Sequence, residues 1–199
     1  MTVTALVFAG GKSRRMGEDK AAMFGGVDRL CEVLEQAGVE RVVVLAGSEE
    51  RISLFSQEAV ADPEGAEGLH QVVHWAWERF EGPLLLVPCD AFLLDIAAVE
   101  FLLQHVTEGA VPLDKNGQRQ PLFAVIPAGA LLPENASSVG ELLAAIPSVK
   151  PGLHGEAFTN FNTPAEVLHH REERRLVLAS RDLLQSMTGL EDRDDVPRF

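Results

Sequence analysis

Four cationic side chains follow the first apolar run of the chain, within nine residues of one another. Two adjacent glycines, Gly10 and Gly11, precede them and let the backbone approach a ligand closely while presenting N–H donors. The chain of 199 residues carries 17 basic and 30 acidic side chains, a net charge of −13, so this local positive charge is unusual. It suits the binding of a polyphosphate, and the alternative is a basic, glycine-rich surface loop. The four are Lys12, Arg14, Arg15 and Lys20.

This segment is not a P-loop, although Gly11-Lys12-Ser13 matches the end of one. The motif requires a further glycine five positions earlier, and Leu6 occupies that position. The glycine spacing of the dinucleotide-binding motif is absent as well. Phosphate binding here would therefore depend on a glycine-rich turn followed by side-chain cations.

Two aspartates end or follow later apolar runs. Asp90 comes after the run 84–87 and a Pro-Cys pair, and Asp62 stands directly before Pro63. A carboxylate at the carboxyl end of a strand is well placed to hold Mg²⁺, which prefers oxygen ligands; alternatively, Asp90 starts a turn. Asp62 could contact the base or sugar of a nucleotide, or it could open a turn.

Short apolar runs alternate with helical patterns along the chain. Runs that are apolar throughout indicate parallel strands covered on both faces. Right-handed crossovers then give a three-layer α/β/α sandwich with a mostly parallel sheet, which binds ligands at the carboxyl ends of its strands. We expect strands at 4–9, 42–46, 58–62, 84–87, 110–112 and 122–126, and helices at 28–37, 49–57, 69–80, 96–106, 139–145 and from 164 toward 184.

The length favours one domain, since domains usually hold about 100–200 residues. We assign residues 1–187 to that domain and residues 188–199 to a flexible tail. The negative net charge argues against a general nucleic-acid binder and against docking on an anionic membrane. No stretch approaches roughly 18 apolar residues and the N-terminus lacks signal-peptide features, so we expect a cytoplasmic protein.

The cysteines and histidines show no convincing metal-ligand spacing. Cys31 and Cys89 form no CxxC pair and are expected to be reduced thiols, with Cys89 buried and inert rather than a nucleophile. His70 and His74 are four residues apart. Without an adjacent glutamate, this spacing favours a solvated or half-buried helix face over a metal site.

The segment FAGGKSRRMGEDK, residues 8–20, resembles the signature of nucleotidyltransferases and most closely that of the MobA family, the molybdenum cofactor guanylyltransferases. Three further segments agree in order and spacing, namely Asp62, Pro88-Cys89-Asp90 and the stretch FTNFNTP at 158–164. The resemblance covers residues 3–170. It implies a Rossmann-like nucleotidyltransferase fold of the GT-A-like type.

The family transfers GMP from GTP to the terminal phosphate of molybdopterin or its molybdenum-loaded form and releases pyrophosphate. The resemblance therefore implies Mg²⁺ as cofactor and GTP and molybdopterin as partners, with molybdoenzyme apoproteins or other cofactor-maturation proteins beyond them. It implies catalytic roles for Arg15 and Lys20, which would offset phosphate charge, and for Asp90, which would hold Mg²⁺. The implied nucleotide-binding residues are Phe8, Ala9, Gly10, Gly11, Lys20, Asp62 and Asp90, and the implied acceptor-binding residues are Asn160 and Asn162.

Three departures from the family pattern leave alternatives open. Leu45 stands where the family often carries asparagine, the family's G-P-L-A-G segment reads EGAEG at 64–68, and the first helix lacks its usual lysine, since 26–30 reads GVDRL. One alternative is a related nucleotidyltransferase that uses CTP or another NTP on molybdopterin or another phosphorylated acceptor. The other is a non-catalytic nucleotide- or molybdopterin-binding protein.

Overall fold

The computed structural model describes residues 2–10 and 26–159. In these ranges, strands and helices alternate along most of the chain. The elements are β1 (Thr4–Phe8), α1 (Gly26–Gln36), β2 (Arg41–Leu45), α2 (Glu49–Ile52), β3 (Ala59–Val60), α3 (Leu69–Arg79), β4 (Leu84–Pro88), α4 (Ile96–Leu103), β5 (Val111–Pro112), β6 (Val125–Ile126), α5 (Val139–Leu142) and β7 (Ser148–Val149), with 3₁₀ segments at Pro121–Phe123 and Gly152–Phe158.

The main sheet has the strand order β3-β2-β1-β4-β6. Its first four strands are parallel, and β6 runs antiparallel to β4 at the edge. The chain first builds outward from β1 to β2 and β3 and then returns to add β4 on the other side of β1. This reversal opens a crevice between β1 and β4 at their carboxyl ends, which is where open α/β sheets bind ligands.

Both faces of the sheet are covered, as the continuous apolar runs predict. Side chains alternate along β1, so Ala5 and Val7 join a core with α1 and α4, whereas Leu6 and Phe8 join a core with α3 and α5. All five residues of β1 and of β4 are buried. The predicted three-layer α/β/α sandwich with a mostly parallel sheet is confirmed.

Several predicted boundaries were wrong for identifiable reasons. The helix expected at 49–57 ends at Ile52. Because α2 buries no side chain, no burial of apolar surface stabilises a longer helix. In the strand expected at 122–126, Pro121 starts a 3₁₀ turn that carries Phe123 into the core, and the strand itself is shortened to Val125–Ile126. The third strand ends at Val60 rather than at 62.

One further predicted helix is shorter than expected, and one strand was not predicted. The helix expected at 139–145 is a single turn, and the strand β7, which pairs with β5 in a second small sheet, was not predicted. The helix expected from 164 and the boundary at 187 lie outside the described residues. In the two described ranges, none of the helices is long and apolar enough to cross a membrane.

Candidate nucleotide site

The site begins where three parallel strands end side by side. Phe8 is in register with Leu45 of β2 on one side and with Pro88 of β4 on the other. The segments that leave the sheet next, 9–10, 46–47 and 89–90, therefore emerge at one edge. The backbone N–H of Cys89 donates to the carbonyl of Phe8 at 3.3 Å, which keeps the Asp90 segment against the end of β1.

The backbone of 9–10 is anchored to β2. The N–H groups of Ala9 and Gly10 both donate to the carbonyl of Leu45, at 2.9 and 2.8 Å. These two donors are therefore already engaged at the end of the sheet. The Phe8 side chain is buried in the core on the α3 face. Gly10 has no side chain, which allows neighbouring groups to approach its backbone closely.

Gly10 also lies against the turn that follows β2. A Cβ atom built on Gly10 would lie 2.7 Å from Cα of Gly47 and 3.0 Å from Oδ2 of Asp62. A real Cβ atom cannot approach backbone so closely. Glycine is therefore required at position 10 for β1 and β2 to end in contact beside the Asp62 carboxylate.

Asp62 is half-buried and lies two residues past β3. The backbone N–H of Gly47 donates to its carboxylate, while burial raises the pKa of that carboxyl above its ordinary value against the opposing effect of this hydrogen bond. Its Oδ1 atom is buried and has no hydrogen-bond partner in the described part of the chain. Buried acceptors are normally satisfied, so this oxygen marks a place for an incoming donor.

Arg51 on α2 is a residue of this site that the sequence did not reveal. Its Nε donates to the carbonyl of Ala46 at 2.9 Å, and its Nη2 donates to the carbonyl of Ala9 at 3.1 Å. One half-buried guanidinium thus joins the ends of β1 and β2. No spacing in the sequence indicates this, because Arg51 and Ala9 are 42 positions apart.

Asp90 is half-buried and follows β4 directly, as predicted. The loop after it is held by Arg29 of α1, whose Nη1 and Nη2 donate to the carbonyls of Leu94 and Ala91 at 3.0 and 2.7 Å. The described ranges contain no group of three or more metal-ligating side chains. A single carboxylate nevertheless fits Mg²⁺, which is usually bound by one or two carboxylates together with substrate phosphates.

The departures noted in the sequence have clear positions. The Leu45 side chain is buried in the core on the α3 face, so position 45 offers no polar group there. The 64–68 segment is tied to α3, because Gln71 accepts a hydrogen bond from the Glu67 N–H at 2.6 Å. The His70 ring lies over Gly68, where an added Cβ would be 2.7 Å from the ring.

Beyond this segment lies a cavity of about 320 Å³, bounded by the 63–66 turn, α3 and the 133–136 loop. Glu64, Glu78 and Glu134 line it, together with His70 and His74. Its acidic walls suit a triphosphate poorly. The remaining predicted site residues, Gly11, Arg15, Lys20, Asn160 and Asn162, lie outside the described residues.

The fold and the strand-end crevice define the class of open-sheet α/β proteins that bind ligands at the carboxyl ends of their strands. Within this class, residues 5–146 match the model of the MobA-like NTP transferase domain. That match spans more than half of the chain. The chain belongs to the MobA-like NTP transferase family.

Individual relatives agree with this assignment. A molybdenum cofactor guanylyltransferase of Pseudomonas entomophila is 28% identical over 82% of this chain and 95% of its own. A probable molybdenum cofactor guanylyltransferase of Pelotomaculum thermopropionicum is 27% identical over 86% and 93%. The structure of molybdopterin-guanine dinucleotide biosynthesis protein A from Archaeoglobus fulgidus has a similar fold, with a TM-score of 0.61 and 20% identity over 86% and 98%.

Proposed function

We propose that this protein transfers GMP from GTP to the terminal phosphate of molybdopterin or of the molybdenum cofactor and releases pyrophosphate. Nucleotidyl transfer follows from membership of the NTP transferase family. The choice of GTP and of a molybdopterin acceptor draws on relatives that are named for this reaction and align over most of their length. The observation on this chain that carries the proposal is the half-satisfied carboxylate of Asp62 at the end of the sheet.

The Asp62 carboxylate suits guanine because of the donors that guanine presents. A carboxylate accepts hydrogen bonds through two oxygens, and guanine has two adjacent donors, N1–H and the 2-amino group. Adenine, cytosine and uracil each lack that pair. The Gly47 N–H occupies one part of the carboxylate and leaves Oδ1 unpartnered. Leu45 contributes no competing polar group, so selection of the base depends mainly on Asp62.

The reaction asks the protein mainly for positioning and for neutralisation of charge. An oxygen of the acceptor phosphate attacks the α-phosphorus of GTP, a new P–O bond forms, and the bond to the β-phosphate oxygen breaks as pyrophosphate leaves. The attacking phosphate is already ionised near neutral pH, so no general base is required. Preorganised cations then supply most of the stabilisation of the transition state.

Each proposed residue has a role in that scheme. Asp90 would hold Mg²⁺, which when bound neutralises phosphate charge and orients the reacting groups. Arg15 and Lys20 would pair with the triphosphate and with the departing pyrophosphate. Asn160 and Asn162 would contact the acceptor as neutral amides, which do not repel a phosphate.

A nucleotide panel tests the proposal. The melting temperature of the protein would be measured with GTP, CTP, ATP and UTP, each with and without Mg²⁺. A nucleotide at about 100 times its dissociation constant adds roughly 2.7 kcal/mol to the free energy of unfolding. We expect the largest shift with GTP and Mg²⁺. A larger shift with CTP would indicate that CTP, and not GTP, is the substrate. No shift with any nucleotide would favour a non-catalytic protein.

Two variants refine this test. Asp62→Asn should remove most of the GTP shift, because an amide cannot accept both guanine donors. Glu100→Gln, which makes the same carboxylate-to-amide change at an exposed position of α4, should leave the shift unchanged. An equal loss in both variants would contradict the role of Asp62.

A further inference from the structure

We infer that Arg51 orients the Asp62 carboxylate and thereby sets the preference for guanine over bases that lack the 2-amino group. The inference rests on the proposed function. Arg51 is in this view a positioning residue, because two hydrogen bonds from its guanidinium go to the backbone carbonyls of Ala9 and Ala46.

The first step is the peptide group between Ala46 and Gly47. Its carbonyl accepts from Arg51 Nε at 2.9 Å, and its N–H donates to the Asp62 carboxylate. A trans peptide is planar, so its C=O and N–H point in opposite directions and turn together. By holding the carbonyl, Arg51 therefore aims the N–H that holds Asp62.

External support is needed there because of Gly47. Its φ of +87° lies in the left-handed region, which glycine adopts easily but which leaves the backbone free to take other conformations. A peptide next to such a residue has little intrinsic preference for one orientation. The hydrogen bond from Arg51 supplies the restraint that the local sequence lacks.

The second step concerns the other side of the carboxylate. Arg51 Nη2 also holds the carbonyl of the Ala9–Gly10 peptide, whose N–H donates to Leu45 at 2.8 Å. Gly10 in turn lies so close to Asp62 that an added Cβ would be 3.0 Å from Oδ2. The same guanidinium thus holds both backbone segments that bound Asp62.

The geometry requires arginine. A guanidinium presents Nε and Nη2 donors in one rigid plane and can hold two carbonyls at a set separation and angle. A lysine ammonium is a single point of charge on a flexible stem. Arg51→Lys should therefore retain part of the ability of Arg51 to hold the two carbonyls, and Arg51→Gln should lose it.

The test compares GTP with ITP, whose hypoxanthine base lacks only the 2-amino group. Dissociation constants for both, each with Mg²⁺, would be measured by calorimetry on the wild type, Arg51→Gln and Arg51→Lys. The wild type should prefer GTP by about tenfold or more, the value of one charge-assisted hydrogen bond. Arg51→Gln should bring that ratio close to one while ITP binding changes little, and Arg51→Lys should lie between.

Two controls separate orientation from general damage. Arg41→Gln removes an exposed arginine at the start of β2, where it pairs with Glu58, and should keep the wild-type ratio. In an Asp62→Asn background, Arg51→Gln should have no further effect on the ratio, because the two residues act in series.

The outcomes distinguish the two claims. A wild-type preference for GTP that survives in Arg51→Gln and Arg51→Lys overturns the role of Arg51 and leaves the proposed function standing. A further drop in the ratio in the Asp62→Asn background also overturns it. A wild type that binds neither GTP nor ITP overturns the proposed function and this inference together.

Discussion

Gly10 and Gly47 meet so closely that a Cβ atom on Gly10 would lie 2.7 Å from Cα of Gly47. The ends of β1 and β2 are therefore in direct backbone contact, and Asp62 lies beside that contact with Oδ2 3.0 Å from the same Cβ position. This contact shapes the floor of the proposed nucleotide site.

Gly10→Ala should therefore damage both stability and nucleotide binding. The added methyl group meets backbone that cannot move aside, and such overpacking typically costs about 1–3 kcal/mol. We expect a lower unfolding midpoint in urea. We also expect the GTP affinity to fall at least about tenfold, which is a loss of about 1.4 kcal/mol in binding free energy. Gly140→Ala is the matched control, because a Cβ there would have its nearest neighbours at 3.9 Å. Wild-type GTP binding by Gly10→Ala would contradict this account of the floor.

Much of the fold could be predicted because its signals are local. The strands β1, β2 and β4 each occupy a continuous apolar run, and the rule for parallel sheets then places Asp90 at the correct edge. A strand at 122–126 was predicted, but its short extent as β6 and the existence of β7 could not be, because their pairing depends on partners distant in the sequence. A short run such as Val125-Ile126 carries no periodicity of its own.

The arginines of the site were missed for a related reason. Arg29 and Arg51 bind backbone carbonyls, and carbonyls leave no trace in the residue types of a sequence. Their partners lie 62 and 65 positions away for Arg29 and 5 and 42 positions away for Arg51. An isolated arginine on a helix is more often solvated, so only the folded chain reveals these roles.

The raised pKa of Asp62 predicts that stability and GTP binding respond to pH in opposite directions. The folded protein favours the protonated carboxyl, so the contribution of Asp62 to stability falls as pH rises from the ordinary carboxyl pKa of 3.8 to the raised pKa. The Asp62→Asn side chain cannot ionise, so the variant does not lose stability in this way as pH rises. At pH 7 the variant should therefore have a higher free energy of unfolding than the wild type.

GTP binding should behave in the reverse way. The ionised carboxylate accepts both guanine donors, so GTP affinity should fall as pH drops through the raised pKa of Asp62. Urea unfolding and GTP titrations of wild type and Asp62→Asn between pH 4 and 7 measure both effects. The contributions of the other carboxyls to the pH dependence cancel when the two proteins are compared. An Asp62→Asn protein less stable than wild type at pH 7 would be inconsistent with a costly buried charge.

Arg29 should tune the response to Mg²⁺ through the loop that follows Asp90. Arg29→Met keeps the aliphatic stem of the side chain and removes the donors to Ala91 and Leu94. We expect GTP binding without Mg²⁺ to stay near the wild-type value and the Mg²⁺ concentration for half-maximal stabilisation by GTP to rise about tenfold, as two charge-assisted hydrogen bonds are lost. Arg41→Met, at an exposed ion pair, should leave the Mg²⁺ requirement unchanged. An unchanged requirement in Arg29→Met would rule out this positioning role.

Cys31 should be chemically silent in the folded protein. Burial raises the pKa of its thiol to about 12, with the negative charges of Glu35 and Asp28 adding to the effect. The thiolate is the reactive form, so almost none is present at pH 8. In a Cys89→Ser variant, a thiol reagent should label no cysteine at pH 8 in buffer and one cysteine in urea. Rapid labelling of the folded variant would show that Cys31 is accessible.

The most direct test of the central claim is transfer itself. The wild type would be incubated with GTP, Mg²⁺ and freshly prepared molybdopterin, and the products would be separated and identified by mass spectrometry. We predict molybdopterin guanine dinucleotide and pyrophosphate in equal amounts, and no product with Asp90→Ala. Absence of the dinucleotide under conditions where GTP binds and molybdopterin remains intact would contradict the proposed guanylyltransferase activity.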